Sequence, residues 1–351
     1  MRSTPLVALL CLCAGRLGAQ TSLVLPAEYE RAWGSPSTMV LGANSTRTQI
    51  VFANPFPIGT VLLGIGLRDS TGSTDDPGFT ADLEIALSST NALPGALNVV
   101  FGGNVGSDVT TVLPRQLVAI APMRANRSTG AFTPIPFTTP FVFGLNGLTN
   151  LVIDIKVFGR SAGAQWATDR ALASLSGRAV TTGVGCGAGT ITSTSTLGNY
   201  VVGSNLTVAL GNAPPGTLAL LTYSFDQQEA ATGVLLPLSL GAIGAAPNCD
   251  LMVNPSGGFS LYVADLFGAA SQSFVVPPLV AHSGLGMQWG YFVPTTPSNS
   301  LGLEITANRT IWIGPEIVGP GAGCVYDASS SATPIGTVNA NTVPIVQIVR
   351  A

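Results

Sequence analysis

The sequence predicts an all-β protein built as two antiparallel β-sandwich domains, jelly-roll-like in the first region and Ig-like in the second. Three observations predict it. Apolar residues recur with period 2 or in short solid runs. The 42 glycines and 25 prolines bound those runs and leave few helix interiors. Turn signals return at intervals close to the roughly 8–12 residues of a sandwich.

The chain opens "MRSTPLVALLCLCAGRLGAQ". Arg2 gives a positive n-region, Leu6 to Ala14 an apolar run too short to span a membrane, and "LGA" small residues before a cut after Ala19. Residues 1–19 therefore read as a secretory signal peptide. The mature chain would run from Gln20 to Ala351, 332 residues, which suits two domains at roughly 150 residues each.

"TQIVFAN" (Thr48–Asn54) and "TVLLGIGLR" (Thr60–Arg68) flank the turn "PFPIG". In "ADLEIALS" (Ala81–Ser88), Leu83, Ile85 and Leu87 face one way and Asp82 and Glu84 the other. "NLVIDIKVF" (Asn150–Phe158) sets Leu151, Ile153, Ile155 and Val157 inward and Asp154 and Lys156 outward. Such strands are half-buried, as in an antiparallel sandwich. "QWATDRALASL" (Gln165–Leu175) is the one helix candidate. "GRAVTTGVGCGAG" (Gly177–Gly189) reads as a final strand running into a hinge.

Charge usage shifts there. Residues 20–185 hold 10 basic and 10 acidic groups; residues 186–314 hold five acidic groups and one basic, Arg309. The expected division is thus 20–185, 186–314 and a tail, 315–351. In the second region "LGNAPPGTLALLTYS" (Leu210–Ser224) is a turn followed by a strand. Asn212, Pro214, Pro215 and Gly216 reverse the chain. The apolar run Leu218 to Leu221 then suits a central strand covered on both sides. In the tail, Val343 to Val349 is expected to return as an edge strand to one of the sandwiches.

Composition excludes several classes. Without Arg2 and Arg16 the chain carries 12 basic and 17 acidic groups, a net charge of −5, with no basic patch for nucleic acid. After the signal no stretch approaches 18 uninterrupted apolar residues, so no membrane span is expected. Only 9% of residues are charged, against roughly 25% in ordinary domains.

The second region resembles a C-terminal module found in many uncharacterised secreted bacterial proteins, common in planctomycetes. The residues that carry the resemblance are Cys186-Gly187, "GNAPPGTLALL" (Gly211–Leu221), "APNCDLMV" (Ala246–Val253), Gln288 in "LGMQWGYF" and the close near "TIWIG". In the first region "LPAEYERAWG", "TRTQIVF", "IGLRD", "LEIALSSTNA" and "NLVIDI" also fit. The likeness covers the mature chain up to Gly314, and the tail departs from it. It implies a fold and a location, with no activity to carry over. It also implies a Cys186–Cys249 disulfide. An oxidised pair suits an exported protein; three free buried thiols are the alternative, and Cys324 is left over.

The candidate chemistry is sparse. His282 in "LVAHSGLG" is the one histidine, too few for a His-rich zinc site, and no G-x-S-x-G elbow accompanies it. Glu84 and Glu304 sit in alternating strands, and no acidic pair stands out for glycoside hydrolysis. "RDSTGSTDDPG" offers Asp69, Asp75 and Asp76 as hard oxygens for calcium, or simply as a polar turn. Trp289 and Tyr291 share one strand face, a stacking platform for sugars if exposed and core if not. Catalytic residues are not assigned. The expectation is a secreted, non-catalytic cell-surface or matrix module that binds an envelope protein or polysaccharide. Two rivals are a carbohydrate-active enzyme on a sandwich scaffold and a structural subunit that self-associates through its C-terminal strand.

Overall fold

A computed structural model describes residues 20–70, 78–122, 132–161, 166–172, 176–196, 199–231, 234–276, 284–314, 322–339 and 342–351. The first region supplies β1 (Thr21–Leu25), β2 (Ser35–Ser37), β3 (Thr46–Ala53), β4 (Val61–Arg68), β5 (Phe79–Thr90), β6 (Thr110–Ile120), β7 (Phe132–Val142), β8 (Asn150–Arg160) and β9 (Thr168–Leu172). Next come β10 (Arg178–Thr182), β11 (Thr190–Ser195), β12 (Asn205–Gly211), β13 (Leu218–Ser224), β14 (Glu229–Ala231), β15 (Val234–Leu235), β16 (Leu238–Ser239) and β17 (Asp250–Leu251). The second region ends with β18 (Phe259–Val263), β19 (Ala270–Val275), β20 (Gly284–Phe292), β21 (Leu303–Ile305) and β22 (Asn308–Trp312). The tail adds β23 (Ala322–Asp327), β24 (Thr337–Asn339), β25 (Thr342–Pro344) and β26 (Val346–Arg350). Every paired strand is antiparallel, and the helical elements among the described residues are short 3-10 turns. None is long and apolar enough to cross a membrane.

In the first sandwich a four-stranded sheet, β1-β26-β4-β7, faces a six-stranded one, β24-β23-β3-β8-β5-β6. The period-2 residues do what their spacing dictates. Leu83, Ile85 and Leu87 of β5 and Leu151, Ile153, Ile155 and Val157 of β8 share one core with Leu62, Leu67 and Ile348. Their outward neighbours pair across strands: Lys156 with Glu84 at 2.7 Å, and Arg115 with Asp82 at 2.7 Å. The small sheet β2-β9-β25 adds Ala171 and Val343 to this core.

The second sandwich packs β10-β22-β20-β13-β18 on β11-β12-β19. Trp289, Tyr291, Met287 and Leu221 fill the space between the sheets. The turn before β13 holds Asn212 at φ 60° and Gly216 at φ 72°, the left-handed region that Asn and Gly enter most readily. Over part of the outer face of β20 lies the excursion that carries β16 and β17. The disulfide Cys186–Cys249 (Cα–Cα 4.8 Å) ties it down, and Gln288 hydrogen-bonds its backbone at Met252 and Asp250.

Four expectations change. Residues 168–172 of the helix candidate form β9, because Ala171 enters the core on a strand bonded to both β2 and β25, with Trp166 buried just before it. β10, read as the last strand of the first region, pairs with β22 in the second. β13 is central, between β20 and β18, but its outer face is covered only toward its end: Thr222 and Ser224 are buried there, whereas Leu218 is 44% exposed. The tail returns to the first sandwich through β23, β25 and β26, and β26 is no edge. It lies between β1 and β4, so its backbone bonds are taken on both sides. Self-association through the C-terminal strand therefore has no free edge to use.

The regions meet on the segment 25–34, the "LPAEYERAWG" of the sequence. Tyr29 lies against Trp312 with ring centroids 4.2 Å apart, and the Trp312 indole N–H donates to the Trp33 carbonyl at 3.0 Å. Arg178 donates to Ser35 Oγ at 2.6 Å, and the Gln227 N–H to the Arg31 carbonyl at 2.9 Å. A fully buried ion pair anchors this wedge from the first-region side. Arg68 donates through Nε and Nη2 to Asp169 Oδ2 at 3.0 and 2.7 Å, and through Nη2 to the carbonyls of Ala32 (2.8 Å) and Tyr29 (3.2 Å). The Gly34 N–H also donates to Asp169 Oδ2, at 3.1 Å, while the buried Oδ1 accepts no hydrogen bond. Burial pushes the Asp169 carboxyl above its ordinary value, and the Arg68 charge opposes that shift.

Candidate functional site

The concave feature that joins apolar walls to convergent polar groups lies where β13 runs out of the second sandwich. Interior parity along β13 places Ala219, Leu221 and Tyr223 between the sheets. Beyond the strand end, Tyr223 and Phe225 line an opening of about 370 Å³ with Phe274, Val276, Leu285 and Gln272. A second hollow of about 390 Å³ shares Tyr223, Phe225 and Leu285 and adds Arg31, Asp226, Asn254 and Ser256. Together they make a groove with an aromatic floor and a polar mouth, within the size range of small-ligand sites.

Its polar groups are locally fixed. Asp226 Oδ2 accepts from Arg31 Nη1 at 3.0 Å, and Oδ1 accepts the N–H groups of Gln228 (3.0 Å) and Glu229 (3.2 Å). Ser224 Oγ accepts the Asp226 N–H at 3.0 Å, which sets the bend after β13. Asn254 Oδ1 accepts the Ser256 N–H and hydroxyl at 2.9 and 2.7 Å, while the Asn254 N–H donates to the Asp226 carbonyl. Phe225 remains 45% exposed over this frame. Asp226 is the one carboxylate among the described lining residues, and both its oxygens are engaged.

The residues singled out from the sequence fall elsewhere. Trp289 and Tyr291 do share a face, but it is the inner one, and both are fully buried. Trp289 stands edge-on to Tyr262 (5.3 Å, 69°). The Tyr291 hydroxyl accepts the Gly189 N–H at 2.7 Å, and burial pushes it up to about 12. They form no stacking platform, because a strand buried on both faces has no exposed aromatic row to offer. Asp69 is buried, its backbone bridged to Thr168. Asp75 and Asp76 lie outside the described residues, as does His282. Among the described residues no cluster of three His, Cys, Asp or Glu side chains could hold a metal ion. Cys324 is buried in β23, its thiol donating to the Thr342 carbonyl at 2.9 Å and pushed by burial up to about 12.

Sequence reasoning missed Tyr223 and Phe225. The available signal was their shared parity in "TYSFDQ" across a strand end. It shows nothing of the open seam between sheets that makes them a site. Against known proteins, no family model and no curated protein matches this chain.

Proposed function

We propose that the protein is an exported, non-catalytic binding module whose ligand is a polysaccharide, taken up in the groove between Tyr223, Phe225 and Asp226. The groove itself carries this reading. A sugar ring presents an apolar C–H face and a rim of hydroxyls. Phe225 and Tyr223 offer rings for the face, and Arg31, Asp226 and Asn254 offer planar donors and acceptors for the rim. Asp226 supports binding over acid–base chemistry, since Arg31 and two backbone N–H groups already engage both its oxygens. Export is supported by the signal-like residues 1–19 and by the Cys186–Cys249 disulfide, a bond favoured outside the cytosol. The resemblance to secreted bacterial modules points the same way.

The test is retention of the purified protein on a panel of insoluble polysaccharides and cell-envelope preparations, with and without a calcium chelator. The native protein is expected on at least one polysaccharide. Phe225→Ala, a change at an exposed ring, should weaken that retention about fivefold to tenfold, the equivalent of one lost stacking contact of about 1–1.5 kcal/mol. Retention that survives Phe225→Ala unchanged, or its absence across the panel, overturns the proposal.

A further inference from the structure

The fold consumes β26 and leaves a different strand with one side open. Among the described residues β18 pairs with β13 alone and forms one edge of its sheet. Its register with β13, closed by Tyr223 N–H to Gly258 O and Ala264 N–H to Thr217 O, turns the backbone groups of residues 258, 260, 262 and 264 inward. The N–H and C=O groups of Phe259, Leu261 and Val263 consequently point away from the sheet. Their side chains are 62%, 59% and 67% exposed on its outer face. Leu218 and Phe292, also exposed, extend that apolar surface across β13 and β20.

Five other edges among the described residues are guarded in the ways natural sheets guard them, and β1, a further edge, exposes Thr21 and Ser22 and buries its apolar end. β6 carries Pro114, Arg115 and register shifts; β7 carries Pro134, Pro136, Pro140 and a shift. β10 begins with Arg178, and β11 and β19 turn Thr and Ser outward. β18, Phe-Ser-Leu-Tyr-Val, has no charge, proline, glycine or bulge.

We infer that β18 is a homotypic interface, joining two copies of this chain through an antiparallel β18–β18 pair centred on Leu261. The strand is complementary to itself about that point. Leu261 meets Leu261 of the second copy, and Phe259 meets Val263 on either side. Every outward N–H and C=O group of the three residues then finds a partner, and the apolar outer face runs unbroken through both sheets. Charge fits as well. A residue on a two-fold axis meets its own like charge, and here that residue is a leucine. The nearest acidic or basic residue along the strand, Asp265, falls opposite Gly257 of the second copy, away from its own counterpart.

The test is the solution mass of the purified protein across a concentration series, by sedimentation or light scattering. The native chain should be a monomer–dimer equilibrium. Leu261→Lys, a change at an exposed position, should leave the thermal midpoint in place and weaken the dimer at least about tenfold by placing two like charges on the axis. Leu261→Cys should cross-link across the pair under mild oxidation, since residues opposite each other lie about 5.5 Å apart, within disulfide range. Ser271→Cys on β19 should not. A monomer at all concentrations, a dimer indifferent to Leu261→Lys, or cross-linking at Ser271→Cys in place of Leu261→Cys overturns the inference.

Discussion

Replacing Arg68 with Met tests how the wedge is held. The guanidinium and its partner Asp169 are both inaccessible to water. Removing the cation strands a carboxylate among Gly34, Ala32 and Tyr29, and a buried pair broken on one side costs about 3–5 kcal/mol. The carboxyl has an escape, which is to take up a proton. Against an unfolded value near 3.9, that costs about 1.4 kcal/mol per pH unit, about 4 kcal/mol at pH 7 and about 1.5 at pH 5. The sign follows from the direction of the shift. In the variant the folded-state value is raised further above the unfolded one, so folding favours the proton, and stability is lost as pH rises. In the native protein burial already outweighs Arg68, so the two proteins diverge only above the native Asp169 value. Urea unfolding between about pH 5 and 7 should show a deficit of at most about 4 kcal/mol at pH 7 that narrows by about 1.4 per pH unit on acidification until the native Asp169 value is reached, where its pH-dependent part closes. The double variant Arg68→Met/Asp169→Leu should lose the pH dependence and keep a pH-independent cost from the Tyr29 and Ala32 carbonyls and the Gly34 N–H, about 1–3 kcal/mol for each that stays unpaired. A deficit under about 1 kcal/mol at pH 7, or one that does not change with pH, would refute the reasoning.

Cys186→Ser should lower stability by about 4 kcal/mol, the chain-entropy value for a separation of 63 residues, measured by chemical unfolding with and without reductant. Gly34→Ala should destabilise by about 1–3 kcal/mol in the same assay, because a Cβ there would overlap the Arg170 carbonyl and come within 2.6 Å of Asp169 Oδ1. Cys324 should resist alkylation in the folded protein at about pH 8 and react once the chain is unfolded, because only the thiolate attacks and burial holds the thiol protonated well above that pH.

Much of the fold was legible where one face of a strand is buried and the other wet. β5 and β8 alternate because Glu84 and Lys156 meet on the outside while Ile85 and Ile155 meet inside, and the sequence writes both faces. Legibility fails where position depends on a distant partner. Gln165–Leu175 has a spacing compatible with a helix, and only pairing with β2 and β25, the latter some 170 residues on, decides for a strand. β26 is five residues whose own pattern fits an edge or an interior equally well; the gap between β1 and β4 makes it interior. The site suffered most. Trp289 and Tyr291 stand out as large aromatics of one parity, but parity does not tell the inner face from the outer. Tyr223 and Phe225, less conspicuous, straddle the strand end where the sandwich opens.

The junction and the groove are one construction. The loop that carries Phe225 and Asp226 continues into Gln227, whose N–H bonds the wedge at Arg31 and whose side chain is buried. Gln227 Oε1 accepts from Asn308 Nδ2 at 2.9 Å and Thr310 Oγ1 at 2.6 Å, and its Nε2 donates to the Gly284 carbonyl at 3.3 Å. Gln227 thereby clamps the loop between the first sandwich and strands β20 and β22 of the second. Arg31, from the first region, meets Asp226 at the groove mouth; the pair is solvated and worth little energetically, but it places a first-region cation at a second-region site. The tail strands complete the same sandwich that holds the wedge: β25 pairs with β9, the strand of Asp169, so the last residues of the chain brace the anchor of its first. The route from tail to groove is therefore a set of direct contacts, β25 to β9, Asp169 to Arg68, Arg68 to the wedge carbonyls, and wedge to Gln227. Docking of the two sandwiches fixes the mouth in place, so the binding proposed for the groove would be spared the ordering of that loop.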